Sequence, residues 1–343
     1  MLRNGFFRAA ILRKLGEPLC VETISAGELE EGQLSIKLRY AGVCRSQLLE
    51  QKGLRGVDLW LPHLLGHEGF GTVEKIGPLV SRFKVGDGVI ISWVRGPGLE
   101  AKKPQYYDAV GSLVNAGAAT TFSEFAVVSE NRLFLAPPGF PEEVLPLFGC
   151  ALITGGGMAI MHAKPGSIRK ICILGFGGIG SAAAIVLKGM GKEQITIIEK
   201  SEARINSAKN MGFKIVRGNF EANDNNFDLV IESTGTIDGI ENGFKALSKE
   251  GTLVFASHPP SGQNISLDPH DFLKGKKIVG TWGGNLNLEL NINELLRFVK
   301  LSGVDLAQLC GPKFNLSQIN EAFIHIDSGK AGRPILEFPK GPK

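Results

Sequence analysis

No segment of the chain carries the about 18 uninterrupted apolar residues that a helical membrane span requires, so no membrane partner is expected. The opening MLRNGFFRAAILRK is basic and partly apolar. It has neither a long apolar core nor a small-residue cleavage site, so it is not read as an export signal, and cytoplasmic residence is the expectation. Positive charge is nowhere concentrated: 38 Lys and Arg interleave with 34 Asp and Glu for a net +4, a solvated surface rather than a nucleic-acid face. Cysteine is scarce. Five in 343 residues argue against a disulfide framework, and the odd count suits a reducing compartment. Internal repeats and low-complexity linkers are also missing.

What is abundant is glycine, 45 residues, beside a 43% hydrophobic fraction, which allows two domains of ordinary size with large cores and many tight turns. Residues 32 to 45, 68 to 77 and 85 to 92 show short alternating apolar runs broken by Gly, Pro and Asp, and predict a compact β domain. From 170 the rhythm changes. KICIL, QITIIE, FDLVIES and GTLVFAS read as buried strands, and SAAAIVLKGMG and SEARINSAKNMG between them carry helical spacing. That alternation predicts an α/β unit with a parallel sheet covered on both faces. INELLRFVKLSG then predicts an amphipathic helix, and PILEF a final strand.

Three residues in glycine-rich settings offer metal-binding chemistry: Cys44 in GVCRSQ, His67 in GHEGFG and Cys150 in GCALITGGG. Two thiolates and an imidazole suit zinc, and three protein donors leave a fourth position open, as in catalytic rather than structural zinc. The separations, 23 residues from Cys44 to His67 and 83 from His67 to Cys150, require a folded domain to assemble the set. Cys44 also precedes a predicted helix, RSQLLEQKG, whose positive end favours a thiolate, as does the Arg45 charge. Cys172 lies inside KICILG as a core residue, and Cys20 and Cys310 have no helpful neighbours.

A second motif, GFGGIG at 175 to 180, follows the strand KICIL and opens a small-residue helix. Gly175 and Gly177 permit a sharp turn and close approach of a pyrophosphate, Gly178 and Ile179 in the same turn are further candidate cofactor contacts, and Gly180 lets the following helix lie tight on its strand. Glu199 ends the next strand, where a carboxylate holds ribose hydroxyls and repels a 2′-phosphate, so NAD is favoured over NADP. Lys200 and Arg204 beside it are either cations that would tolerate the 2′-phosphate of NADP or a solvated helix start.

In their order along the chain these motifs resemble those of the zinc-dependent alcohol dehydrogenases of the medium-chain dehydrogenase/reductase superfamily. The resemblance runs from FFRAAILRKLGEPL at 6 to 19 to GKAGRPILEF at 329 to 338. It implies a GroES-like β-rich catalytic domain, residues 1–151 and 282–343, with an inserted Rossmann dinucleotide-binding domain, residues 152–281, and a substrate site in the cleft between. It implies hydride transfer between NAD(H) and an alcohol/aldehyde or ketone pair, with zinc stabilising the alkoxide. Ser46 matches the hydroxyl that begins the proton relay, though serine there also suits a helix cap. Glu68 matches a carboxylate behind the zinc, Arg45 and Arg333 the pyrophosphate-binding arginines, Thr154 a threonine packed on the nicotinamide, and Arg204 an adenosine-ribose contact. Trp93 matches a pocket-lining aromatic and reads equally well as a core residue.

Four departures from the family pattern stand out. Gln47 replaces the aspartate that orients the zinc histidine, and Leu49 replaces a relay histidine. His258 in ASHPPSGQN aligns with a loop beside the nicotinamide that is usually apolar, and is a candidate for part of the missing relay. No cysteine occurs from 45 to 149, where relatives carry four that bind a structural zinc, so one catalytic zinc per chain is expected, with that lobe held by packing or by a partner chain. Family analogy implies a dimer or tetramer formed through KKIVGTWGG at 276 to 284. Two other readings stay open: a zinc-free NADPH-dependent double-bond reductase of the same superfamily, and a non-catalytic dinucleotide-binding sensor.

Overall fold

Apolar residues on both faces of QLSIKLRYAG make Gln33–Gly42 the central strand of a seven-stranded sheet. It pairs antiparallel with Glu68–Ile76, Phe125–Ser129 and Arg333–Glu337, so a strand from beyond residue 330 is joined to strands from the first 130 residues in one sheet. A second, five-stranded sheet runs in the order His63–Leu64, Phe6–Leu12, Cys20–Ala26, Tyr106–Asp108, Leu113–Val114. Leu34, Ile36, Leu38, Val89, Ile91 and Phe122 belong to one buried cluster, and a one-residue slip would turn these side chains to the other face, which fixes the register of the strands that carry them. The computed structural model describes residues 5–339 except 165, 167 and 221–225.

The second unit is built on six parallel strands in the order Ile215–Arg217, Gln194–Ile198, Lys170–Leu174, Phe227–Glu232, Leu247–Phe255, Lys277–Gly280. KICIL, QITII and FDLVIE are nearly continuous apolar runs because helices cover both faces of such a sheet. Strand order reverses between Lys170–Leu174 and Phe227–Glu232, which creates a crevice at the carboxyl ends of the strands.

Compact packing divides the chain into residues 1–150 with 310–329 and 333–343, and residues 151–309 with 330–332. The return to the first unit therefore comes at Cys310, not at 282 as the resemblance implied. The cause is the helix Leu288–Leu301, which buries Leu295 and Val299 and packs on the helices Gly178–Gly189 and Ala151–Ala163 of the second unit. Among the described residues no single helix is long and apolar enough to cross a membrane.

The cysteine-free lobe that follows Ser92 is held by polar ties within the same chain. Glu130 is 1% exposed, and its carboxylate accepts the backbone N–H groups of Ser81 at 2.8 Å, Arg82 at 2.7 Å and Leu99 at 3.0 Å. Arg132 donates to the Trp93 carbonyl and to Glu100, while Gln33 donates to the Lys102 carbonyl at 3.0 Å. These contacts tie the loop to the core. Burial alone would raise the Glu130 pKa, but the three N–H donors outweigh it and hold the group below the usual range. The stabilisation it provides is present above the unfolded glutamate pKa and is lost as pH falls through the lowered folded value. Glu130→Ala is expected to cost about 3 kcal/mol in urea unfolding at neutral pH, with the gap to the parent narrowing in acid.

Candidate functional site

Cys44 occupies the N-cap of the helix Arg45–Gln51, in extended backbone with φ −90°, directly after the central strand. His67 lies in the turn that leads into Glu68–Ile76, and Cys150 ends the 3-10 stretch Glu142–Gly149. These three segments bring two sulfurs and one imidazole nitrogen within 4.8 Å of one another. Both thiols are free, and among the described residues no hydrogen-bond partner satisfies the buried Nε2 of His67. Tetrahedral zinc with bonds of about 2.0 to 2.3 Å would set such donors roughly 3.5 Å apart, so the set fits the metal in donor type and spacing and leaves one position open.

The electrostatics favour an ionised Cys44. The hydrogen bond from Cys150 holds Cys44 well below the ordinary thiol range against the cost of burial, with help from the Arg333 charge, and the same coupling pushes Cys150 up. Burial disfavours a charged His67, yet the neighbouring Cys44 thiolate outweighs it and raises the imidazole pKa. Glu68 is 0% exposed, which excludes the surface reading of that residue, and its Oε1 lies 3.2 Å from Nη1 of buried Arg333. Arg333 is thus paired with Glu68 in the first unit. Arg45 is exposed.

Ser46 sits in the first turn of the helix, and its buried hydroxyl has no hydrogen-bond partner among the described residues. It caps nothing, so of its two readings the helix cap is removed. Gln47 is buried; its Oε1 accepts the Gly66 N–H, and its Nε2 donates to Glu50 at 3.2 Å. The neutral amide gives His67 no charge, but it fixes the backbone one residue before it. Trp93 is half-buried with its ring centroid 6.4 Å from that of His67, edge on. The sequence reading passed over one further group, Glu50, Asp58 and His63, whose ligand atoms also lie within 4.8 Å. His63 Nε2 faces Asp58 at 2.8 Å and Nδ1 faces the Leu64 carbonyl at 3.0 Å, while Glu50 pairs with Arg55 at 3.0 Å. Every member already has a partner, and the Asp58 and His63 pairing closes a turn.

In the second unit, Gly175 adopts φ 84°, the left-handed conformation that the turn after Lys170–Leu174 requires. A Cβ on Gly180 would run into the Gly175 carbonyl, and one on Gly177 would meet nothing, which is the open cradle a phosphate can fill. Gly178 and Ile179 form the first turn of the helix Gly178–Gly189, so its backbone N–H groups face that cradle. The Glu199 carboxylate accepts the Phe176 N–H at 2.7 Å and the Ser201 N–H at 2.9 Å, with Arg204 Nη1 at 3.7 Å. These contacts aim it at the glycine turn. Thr154 is buried in the helix Ala151–Ala163, and its hydroxyl has no hydrogen-bond partner among the described residues. His258 is exposed in the loop after Leu247–Phe255, with its ring 5.9 Å from that of Trp282.

Residues 30–138 match the alcohol dehydrogenase GroES-like domain, and residues 178–300 match the zinc-binding dehydrogenase domain. The chain is 26% identical to the alcohol dehydrogenase class-3 of Drosophila melanogaster, over 96% of its own length and 97% of that relative. It is 25% identical to the S-(hydroxymethyl)glutathione dehydrogenase of Synechocystis sp., over 96% of this chain and 99% of that one. Among solved structures, that of the benzyl alcohol dehydrogenase from Acinetobacter calcoaceticus is similar with a TM-score of 0.85 and 25% identity, covering 97% of this chain and 99% of the other.

Proposed function

Since the chain belongs to the zinc-type alcohol dehydrogenases of the medium-chain superfamily, with a GroES-like and a Rossmann unit, we propose that it transfers hydride between NAD(H) and an alcohol/aldehyde or ketone pair. The observation that carries this reading is the meeting of Cys44, His67 and Cys150 within 4.8 Å from three distant segments. When bound, zinc supplies Lewis-acid stabilisation of the negative charge that develops on the substrate oxygen, and NAD supplies the hydride acceptor.

The chain's own residues supply the rest. Cys44, His67 and Cys150 would hold one zinc, and Glu68, paired with Arg333, places a charge-balanced wall behind them. Ser46 receives the proton of the alcohol, and His258 continues its path toward solvent. Trp93, edge on to His67, limits the width of the substrate. In the second unit the turn from Gly175 to Gly180 receives the pyrophosphate, Glu199 and Arg204 receive the adenosine ribose, and Thr154 turns its hydroxyl to the nicotinamide. The cytoplasm is the expected compartment, because free buried thiols bind metal only while reduced.

A panel of primary and secondary alcohols and sugar derivatives, assayed with NAD and NADP on zinc-loaded protein, tests the reading. Turnover of none, with NADH bound all the same, would leave the sensor reading instead. The zinc-free reductase is disfavoured by the donor set itself. Glu199 gives a sharper prediction on the cofactor: Glu199→Ala removes both the ribose acceptor and the charge that repels a 2′-phosphate. The preference for NAD over NADP in kcat/KM should fall by about a hundredfold, the worth of one charged hydrogen-bond set. Steady-state kinetics with both dinucleotides checks it.

A further inference from the structure

A fully buried carboxyl that the proposed chemistry does not use lies at the carboxyl end of the parallel sheet. Glu232 ends the strand Phe227–Glu232, the first beyond the reversal of strand order, and is 0% exposed. Its Oε1 accepts the Thr234 N–H at 2.6 Å, the Gly235 N–H at 3.2 Å and the Thr234 hydroxyl. Its Oε2 accepts the hydroxyl of Ser257, which belongs to the loop leaving the next strand, Leu247–Phe255. Ser233, beside it, donates to the carbonyls of Leu174 at 2.8 Å and Gly175 at 3.1 Å. Thr234 is joined in turn to Thr236, which caps the helix Ile237–Lys245 by accepting the Gly239 N–H at 3.0 Å. Three loops that leave three adjacent strands at the same end are therefore tied through two neighbouring residues, Glu232 and Ser233.

Burial pushes the Glu232 carboxyl above the usual range, so the group is expensive to keep in this place, and an apolar side chain would fill the same volume without that cost. What the carboxyl gives in return is fixed geometry where an open α/β sheet binds its ligand, outside the carboxyl ends of the strands at the switch point. A dinucleotide in this crevice straddles the reversal. With its adenosine ribose at Glu199 and its pyrophosphate at Gly175 to Gly180, the other half must lie over the loops that follow Phe227–Glu232 and Leu247–Phe255. We propose that Glu232 is the positioning residue for the nicotinamide half of the cofactor, holding residues 233–236 and Ser257 in one arrangement. The proposal rests on the dinucleotide reading given above.

The test compares NADH with AMP, which fills the adenosine half alone, using cofactor fluorescence for the first and calorimetry for the second. Ser257→Ala cuts the tie between the loops with little change of volume, and Glu232→Ala removes it entirely. Each should weaken NADH binding about tenfold and leave AMP within about twofold of the parent. Glu232→Gln keeps an oxygen for the N–H donors and offers an amide to the Ser257 oxygen, so it should bind NADH as the parent does. That rescue, together with the split between the two ligands, separates positioning from general support of the fold. NADH binding unchanged in a folded Ser257→Ala protein, or an equal loss for NADH and AMP, would overturn the assignment. A parent that binds neither NADH nor NADPH would overturn the dinucleotide function itself, and this assignment with it.

Discussion

Cys150→Ser protein is expected to leave purification without zinc, whereas the parent carries one zinc per chain and keeps it through dialysis in the absence of chelators. The substitution changes a single atom of the side chain and replaces a soft sulfur donor, which zinc binds as thiolate, with a hydroxyl that is a far poorer zinc ligand. Cys150 is buried, with its sulfur in the same 4.8 Å group as the Cys44 sulfur and a His67 ring nitrogen, and among the described residues no fourth His, Cys, Asp or Glu joins that group to replace it. Two donors remain, and a pair without a third neither fixes geometry nor balances the metal's charge. Alcohol turnover should fall by well over the roughly hundredfold that loss of an outer hydrogen bond to a metal ligand costs. Elemental mass spectrometry on both proteins, with circular dichroism to confirm that the variant is folded, reads the outcome. A parent that holds no zinc even after reloading, or a variant that retains it, would remove the metal from the proposed function.

How far this site could be read from sequence depends on whether its signals are local. The parallel strands KICIL, QITII and FDLVIE were legible because a strand buried on both faces must be apolar throughout. The turn at Gly175 was legible because only glycine suits its φ of 84°. Contacts between distant segments were not. Nothing in GKAGRPILEF signals that Arg333 lies 3.2 Å from Glu68, since they meet only because Arg333–Glu337 and Glu68–Ile76 both pair with Gln33–Gly42. Gln47 looked like a loss, because its tie to the Gly66 N–H follows from the path of the backbone and not from the residue type. The lobe without cysteines posed the same difficulty: Glu130 reads as a surface acid until three backbone N–H groups are seen to converge on it. The domain return was misplaced at 282 because amphipathic spacing in INELLRFVKLSG shows that the helix has a buried face but not which unit supplies the cover.

Ser46→Ala is expected to keep its zinc and its affinity for NADH while losing turnover by about 10² to 10⁴-fold, the range for removal of a positioned proton-transfer group. The reasoning starts from the hydroxyl. It is buried, lies two residues from Cys44 in the first turn of Arg45–Gln51, and has no partner among the described residues, an arrangement that costs stability unless a ligand completes it. One helical turn on, Leu49 offers no group to take the proton, so the path from Ser46 must run through other atoms. Ser46→Thr retains the hydroxyl and should recover most of the rate, which a loss caused by packing would not allow. His258→Ala supplies the second arm. If His258 carries the proton outward, that variant should slow turnover and alter its pH dependence while Ser46→Ala and the double variant are equally slow, since a relay broken at its first step gains nothing from its last. Additive losses would show instead that Ser46 and His258 act separately, and an unchanged rate and pH profile in His258→Ala would leave the proton to the cofactor ribose and water.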